Sequence, residues 1–296
     1  MIQNPLVSII ITTYNKPKIL LQRSLYSAVN QIFDNYEILI VDHGSTVEYP
    51  KFTDDYWRIR YVKITENSGT VCTARNWGVK EAKGKYIVFL DDDNELLPDF
   101  LKKTVDKIEQ NELYAAVCTQ RIVQFEHFRD IQPVPQGPLA SIDWGWLMRK
   151  SVFDSIQYDE KMFFNEDADF GIAFHKKFWH TCVDEPLQIA YDSFGSSMRS
   201  SSSYPTVQQI DSINYFLEKN ISVYQNRNEL RYLYNLIARR YDKYGMRGQA
   251  LKYFGLSFKS QKNVRTLLHL IFAYLGYTPY NWFKGLEERV SYLLRK

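Results

Sequence analysis

The chain has 296 residues, 45% of them apolar, with 22 Tyr and 18 Phe, enough for a sizeable core in one large domain or in a domain with an appendage. Its three cysteines, Cys72, Cys118 and Cys182, are odd in number and widely spaced, which argues against a disulfide framework and a zinc site and makes a reducing cytoplasm the default. The net charge of +3 is uneven, since residues 1–220 hold 23 Lys/Arg against 30 Asp/Glu, while residues 221–296 hold 14 against 4. An acidic front and a basic tail point to two different jobs.

Val7 to Thr12 is a β-branched run and predicts a first buried strand. Thr13-Tyr14-Asn15-Lys16-Pro17 breaks it, and apolar spacing predicts a helix from Ile19 to Ile32. Tyr36 to Asp42 is a second strand that ends in an acid, followed by His43-Gly44-Ser45-Thr46, and Arg60 to Ile64 is a short third strand. After Asn67-Ser68-Gly69 a helix is predicted from Val71 to Ala82. Then Gly84-Lys85 leads into Tyr86-Ile87-Val88-Phe89-Leu90, which has the continuous apolar character of a strand buried on both faces. It leaves the sheet in three consecutive carboxylates, Asp91-Asp92-Asp93. This β-α-β-α-β alternation implies a parallel sheet with right-handed crossovers.

Downstream, a helix is predicted from Pro98 to about Asn111, a strand from Tyr114 to Val123, and a Pro- and Gly-rich loop over 126–142. Trp144 to Lys150 returns to the sheet. Phe163 to Phe170 opens a helix that continues through His175 and Phe178, with Asn165 as an N-cap and acids in its first turn. Thr181 to Tyr191 is the last strand before a serine-rich linker, Ser193 to Ser203. Two domains are therefore expected, residues 1–205 and a helical region over 206–296, with helices from Glu229 to Tyr244 and Gly248 to Phe258. Thr266 to Leu275 is apolar, and Trp282 to Leu294 is amphipathic with basic ends.

Ligands of open α/β sheets bind at the carboxyl edge of the strands, where these acids fall. Three adjacent carboxylates repel one another and need either a cation or a wet surface to stay ionised. A hard divalent ion shared with a phosphate meets the first condition, and a solvated acidic turn meets the second.

The blocks Val7 to Asn15, Glu37 to Thr46, Asn67-Ser68-Gly69, Ala74-Arg75-Asn76-Trp77-Gly78 and Gly84 to Asp93 resemble, in this order, the family-2 glycosyltransferases of the GT-A fold. The resemblance covers about residues 5–195. It implies an α/β, Rossmann-like mixed sheet flanked by helices, with the C-terminal helices as a small appendage. It also implies an inverting enzyme that uses a nucleotide-diphosphate sugar, here a UDP-sugar, together with Mn2+ or Mg2+. Carried onto this chain, it places Thr12, Tyr14, Asp42 and Arg75 at the nucleotide, Asp93 on the metal, and Asp91 or Asp92 nearer the ribose. Asp167 would be the general base that takes the acceptor proton, and Glu166 would hold a sugar hydroxyl, with Asp169 a weaker competitor. Trp144, Trp146 and Arg149 fall where the family binds acceptor, although core tryptophans fit equally well. One departure stands at His43, where the family often has a second acid; a turn residue is the other reading. Tyr191, Asp192 and Arg199 could close over the diphosphate or simply belong to a linker.

The acceptor expected on this resemblance is a surface or lipid-linked glycan. The N-terminus lacks a signal-peptide pattern and no apolar run approaches the roughly 18 residues of a membrane span. A cytoplasmic protein, peripheral at the inner face of the membrane, follows. The basic tail suits an anionic membrane surface, a second subunit in a homo-oligomer, or docking on the catalytic domain. Nucleic acid is disfavoured, because the tail's aromatics follow helical spacing. Two other functions stay open: a nucleotide-sugar-binding protein without catalysis, and a nucleotidyltransferase, which would want a Gly-rich basic loop that Thr13-Tyr14-Asn15-Lys16 does not supply.

Overall fold

The computed structural model describes residues 4–49, 58–65, 68–125, 128–134, 140–191 and 207–262, with five further positions between 267 and 274. It has two compact units, Met1–Ser201 and Ser202–Lys296.

The first unit is built on a mixed sheet. Strands β1 (Val7–Thr13), β2 (Tyr36–Asp42), β3 (Ile59–Lys63) and β4 (Tyr86–Asp91) run parallel in the order β3-β2-β1-β4. Helices α1 (Lys18–Val29) and α2 (Val71–Glu81) make the connections. The apolar run Ile9-Ile10-Ile11 and its neighbours Ile38 to Val41 are wholly buried, as expected of strands covered on both faces. Thr70 caps α2 by accepting from Cys72 N at 3.2 Å. Gly78 lets that helix lie against β1, since a Cβ there would stand 2.7 Å from Ile10 Cγ2.

Beyond β4 the sheet continues β8-β6-β9-β5, with β7 paired to β6. Here β5 is Glu95–Leu96, β6 Tyr114–Gln124, β7 Arg129–Gln132, β8 Leu147–Arg149 and β9 Trp179–Tyr191. β8 runs antiparallel to β4 and β6, β5 antiparallel to β9, and β6 parallel to β9. Helix α3 (Phe100–Ile108) buries Phe100, Leu101, Thr104, Val105 and Ile108. Helix α4 (Glu166–His175) precedes β9.

Several details differ from the sequence expectation, the two-residue β5 among them. The stretch read as a loop contains β7, and α4 stops at His175, so that β9 starts at Trp179. Asn165 does not cap α4 through its side chain; it sits in the left-handed region at φ 61 and turns the chain into the helix.

The second unit contains α5 (Val207–Asn220), α6 (Arg227–Lys243) and α7 (Arg247–Ser260). Asn226 and Glu229 form a reciprocal capping box at the start of α6. Gly245, at φ 71, ends the following turn. Leu233, Ile237 and Ala238 of α6 are buried with Ala250 and Phe254 of α7, and Tyr241 stacks on Tyr253 at 5.6 Å. No helix among the described residues is long and apolar enough to cross a membrane.

Candidate active site

Because β1, β2 and β4 are parallel, their carboxyl ends share one edge. Thr13 is level with Asp42, and Thr12 is level with Asp91. Asp42 is fully buried and accepts from Ser45 N at 2.8 Å and from the Tyr61 hydroxyl. Asn15, in the left-handed region at φ 49, fastens the loop after β1 to the loop after β2. Its N–H donates to Ser45 Oγ at 2.9 Å, and its Oδ1 accepts from Thr46 N at 2.8 Å. Thr12 and Tyr14 are half-buried on this edge. His43 is buried, and its Nε2 accepts from Ser68 N at 3.2 Å. Burial lowers its pKa, so the ring is a neutral fastening for the loop that enters α2.

The three acids at the end of β4 are not left to repel one another. Lys16, itself buried, places its Nζ 2.9 Å from Asp92 Oδ1 and 2.8 Å from Asp93 Oδ2. Arg23 of α1 donates to the Asp93 carbonyl, and its Nε lies 3.4 Å from Glu95 Oε1. The same guanidinium lies 3.5 Å over the ring of Tyr191, whose hydroxyl donates to Glu95 at 2.5 Å. Burial pushes Asp91 up to about 7, despite the opposing charge of Arg75. Burial likewise pushes Asp92 up to about 6, against the pull of Lys16. Asp91 and Asp93 keep 34% and 31% of their side-chain surface open. Partly open carboxylate oxygens of this kind are the donors that Mg2+ and Mn2+ take.

Arg75 joins this edge to α4. It projects from α2, is buried, and stands 3.5 Å from Asp91 Oδ1 and 3.6 Å from Glu166 Oε1. Two of its nitrogens, Nε and Nη1, are buried without a hydrogen-bond partner among the described residues. Asp167 follows Glu166, and its Oδ1 accepts from Ala168 N at 2.8 Å. Burial first, then the charges of Glu166 and Asp143, push Asp167 up to about 7. Asp143 is held by both terminal nitrogens of Arg121, each at 2.8 Å. Ile142 N donates to the Asp167 carbonyl at 3.2 Å and Gly145 N to the Phe89 carbonyl at 2.8 Å, so the end of β4, the segment before Trp144 and the start of α4 lie side by side and frame one cleft. Asp169 is buried in the helix's first turn, with its N–H bonded to the Asn165 carbonyl.

The structure corrects the acceptor assignments at Trp146 and Arg149. Arg149 is level with Tyr86, five residues before Asp91 and so about 16 Å down the strand. There it donates to the carbonyls of Tyr114 and Ile108 and to the Tyr86 hydroxyl, which makes it a brace at the opposite edge. Trp146 is 1% exposed and packs edge-on against His180, leaving no face for a sugar. Trp144 lies nearer the cleft but is buried, with Arg121 4.5 Å above its ring. Lys16, Arg23, Arg121 and Asp143 had no place in the sequence reading. Two of them had a signal in their position: Lys16 directly follows the block that ends at Asn15, and Asp143 directly precedes Trp144. Asp192, Arg199 and the serine-rich stretch lie outside the described residues, as do Asn67 and the amphipathic tail.

The fold resembles that of S. aureus TarS 1-349, solved in complex with UDP-GlcNAc, with a TM-score of 0.62 over 93% of this chain and 89% of that one, at 17% identity. Among curated proteins, the putative colanic acid biosynthesis glycosyl transferase WcaA of Escherichia coli is 27% identical over 226 residues, 67% of this chain and 77% of WcaA. The glycosyltransferase EpsJ of Bacillus subtilis is 25% identical over 209 residues, 62% of this chain and 60% of EpsJ, so the match spans less than two thirds of that relative. The family model described as glycosyl transferase family 2 matches residues 8–174, more than half of the chain and all the elements that carry the cleft. This chain belongs to glycosyl transferase family 2.

Proposed function

We propose that this chain is an inverting glycosyltransferase that moves a hexose or N-acetylhexosamine from a UDP-sugar to a hydroxyl of a surface or lipid-linked glycan. The observation that carries the reading is Arg75 set between Asp91 and Glu166, which gathers the strand-end acids and the acids of α4 around one cleft. Its Nε, without a hydrogen-bond partner among the described residues, is a donor suited to a diphosphate or sugar oxygen. The complex of TarS with UDP-GlcNAc supports a nucleotide-sugar donor, and the name of WcaA supports a polysaccharide acceptor.

In this reading the nucleotide lies along the edge of Thr12, Tyr14 and Asp42, with Asp91 and Asp92 toward the ribose. Asp93 would hold Mg2+ or Mn2+, an ion that offsets charge on the departing diphosphate. Lys16 neutralises what remains of the acid cluster. Asp167, raised toward neutral pH by burial, takes the acceptor proton as the hydroxyl attacks from the face opposite the leaving group. A cytoplasmic enzyme, bound at the inner membrane face through its basic tail, belongs to the same proposal.

The test is a thermal-shift panel of UDP, GDP and dTDP sugars against the purified chain, with and without Mn2+. Stabilisation by a UDP-sugar that grows with Mn2+ is expected. A panel in which no nucleotide raises Tm under either condition overturns the proposal.

A further inference from the structure

The widely spaced cysteines do not stay apart. Cys118 on β6 is in register with Cys182 on β9, and their Sγ atoms lie 2.7 Å from each other. His180, two residues before Cys182, projects from the same face of β9. The Sγ atoms of Cys118 and Cys182 and a ring nitrogen of His180 all lie within 4.8 Å of one another. A second unsatisfied group stands beside this one. The ring of His175, in the last turn of α4, stands 5.1 Å from that of His180, and its Nε2 is buried with no hydrogen-bond partner among the described residues. None of these four residues touches the acid cleft or has a role in the proposed reaction.

We propose that Cys118, Cys182 and His180 form a zinc(II) site, and that the orphaned Nε2 of His175, which stands outside that 4.8 Å group, turns in as the fourth donor when the metal binds. Two thiolates and two imidazoles are the donor set of closed, tetrahedral structural zinc sites. Their softness separates this site from the hard carboxylates of the cleft, which suit Mg2+ or Mn2+. On binding, each thiol gives its proton to solvent and its sulfur forms a bond to the metal; no electrons are exchanged. Of the four ligands, one comes from β6, two from β9 and one from the last turn of α4. The same helix carries Glu166 and Asp167 at its other end, about 12–14 Å along the axis from His175. Zinc would therefore anchor from behind the helix that presents the general base.

The experiment uses the full chain, reduced and stripped of metal with a chelator, and titrated with Co2+. A thiolate-to-cobalt charge-transfer band with the strong visible bands of four-coordinate Co2+ is expected, saturating at about one ion per chain and bleached by Zn2+. Cys72→Ser should keep this signature. Cys118→Ser, Cys182→Ser and His180→Ala should each weaken zinc binding at least about a hundredfold, and His175→Ala about ten- to a hundredfold. Wild-type titration alone decides the matter if a variant fails to fold: reduced chain that gives no charge-transfer band overturns the proposal. It is overturned equally if Cys118→Ser and Cys182→Ser bind zinc as the parent does. A chain isolated without metal, in which two thiols reappear only on reduction, would identify a Cys118–Cys182 disulfide instead and also sink it.

Discussion

Lys16 Nζ lies 2.8 Å from Asp93 Oδ2, so the strongest candidate for a metal ligand already has a cation beside it. The same ammonium reaches Asp92 at 2.9 Å, and the acids in turn raise the Lys16 pKa against the effect of its own burial. A divalent ion at Asp93 and Lys16 therefore neutralise overlapping charge. Lys16→Met should lower stability in metal-free buffer by about 2 kcal/mol, below the range for a fully buried pair because Asp93 is 31% open. Mn2+ should recover more Tm in this variant than in the parent. Equal Mn2+ responses in the two proteins, measured by thermal shift, would count against a metal at Asp93.

Asp167 makes a prediction about pH in which rate and stability move in opposite directions. Its pKa in the folded chain is raised to about 7 by burial and by the charges of Glu166 and Asp143. As a base it works ionised, so kcat/KM should climb as pH rises through about 7 and then level off. The folded chain binds a proton here that the unfolded chain has already lost, so this group's contribution to stability declines between about pH 4 and pH 7. Asp167→Asn should cut turnover by about 10²–10⁴ while donor binding persists, and it should raise Tm at pH 8. A variant that turns over at the parental rate would remove Asp167 from the reaction.

Gly145 tests the wall between Trp144 and Trp146. It sits at φ 75, and a Cβ there would stand 2.0 Å from Gln188 Oε1. Gln188 cannot easily give way, because it is buried and its Nε2 donates to Thr119 Oγ1 at 2.9 Å and to the Gly145 carbonyl at 3.2 Å. Gly145→Ala should cost about 2 kcal/mol or more, from left-handed backbone strain and the displaced amide together. Urea unfolding would measure it, and a loss within about 0.5 kcal/mol would show that the wall is softer than its packing implies.

What was legible in the sequence follows the range of the forces involved. Val7 to Thr12, Tyr36 to Asp42 and Tyr86 to Leu90 announce themselves because a strand covered on both faces is apolar along most of its length. The two-residue β5 and four-residue β7 are too short to carry a period, and their pairing to β9 and β6 is a product of tertiary structure. The acids of the cleft were visible as ordered blocks, yet their counter-charges were not. Asp143 acquires meaning only from Arg121, 22 residues earlier, and Lys16 only from Asp93, 77 residues later. Arg149 was misplaced because sequence distance from Trp146 hides the direction of β8, which carries the side chain to the opposite edge. Cys118 and Cys182, 64 residues apart, meet only through the register of two parallel strands.

Arg75 is the residue on which the cleft's geometry can be broken without touching a proposed reacting group. Its guanidinium spans 3.5 Å to Asp91 and 3.6 Å to Glu166, and its charge opposes the rise in pKa of both Asp91 and Asp167. It also lies 5.1 Å from the ring of Tyr158, so its plane is held by packing as well as by charge. A lysine keeps the charge but loses the planar fork that reaches two acids at once. Arg75→Lys should therefore lower kcat/KM about ten- to a hundredfold, with KM for the donor rising. With its opposing charge less well placed, the Asp167 pKa should move up, shifting the rising limb of the pH–rate profile to higher pH. Thermal unfolding should show a loss of about 1–3 kcal/mol from the two imperfectly paired carboxylates. A profile that keeps its midpoint while kcat/KM falls would mean that Arg75 acts on the donor alone and does not set the charge at Asp167.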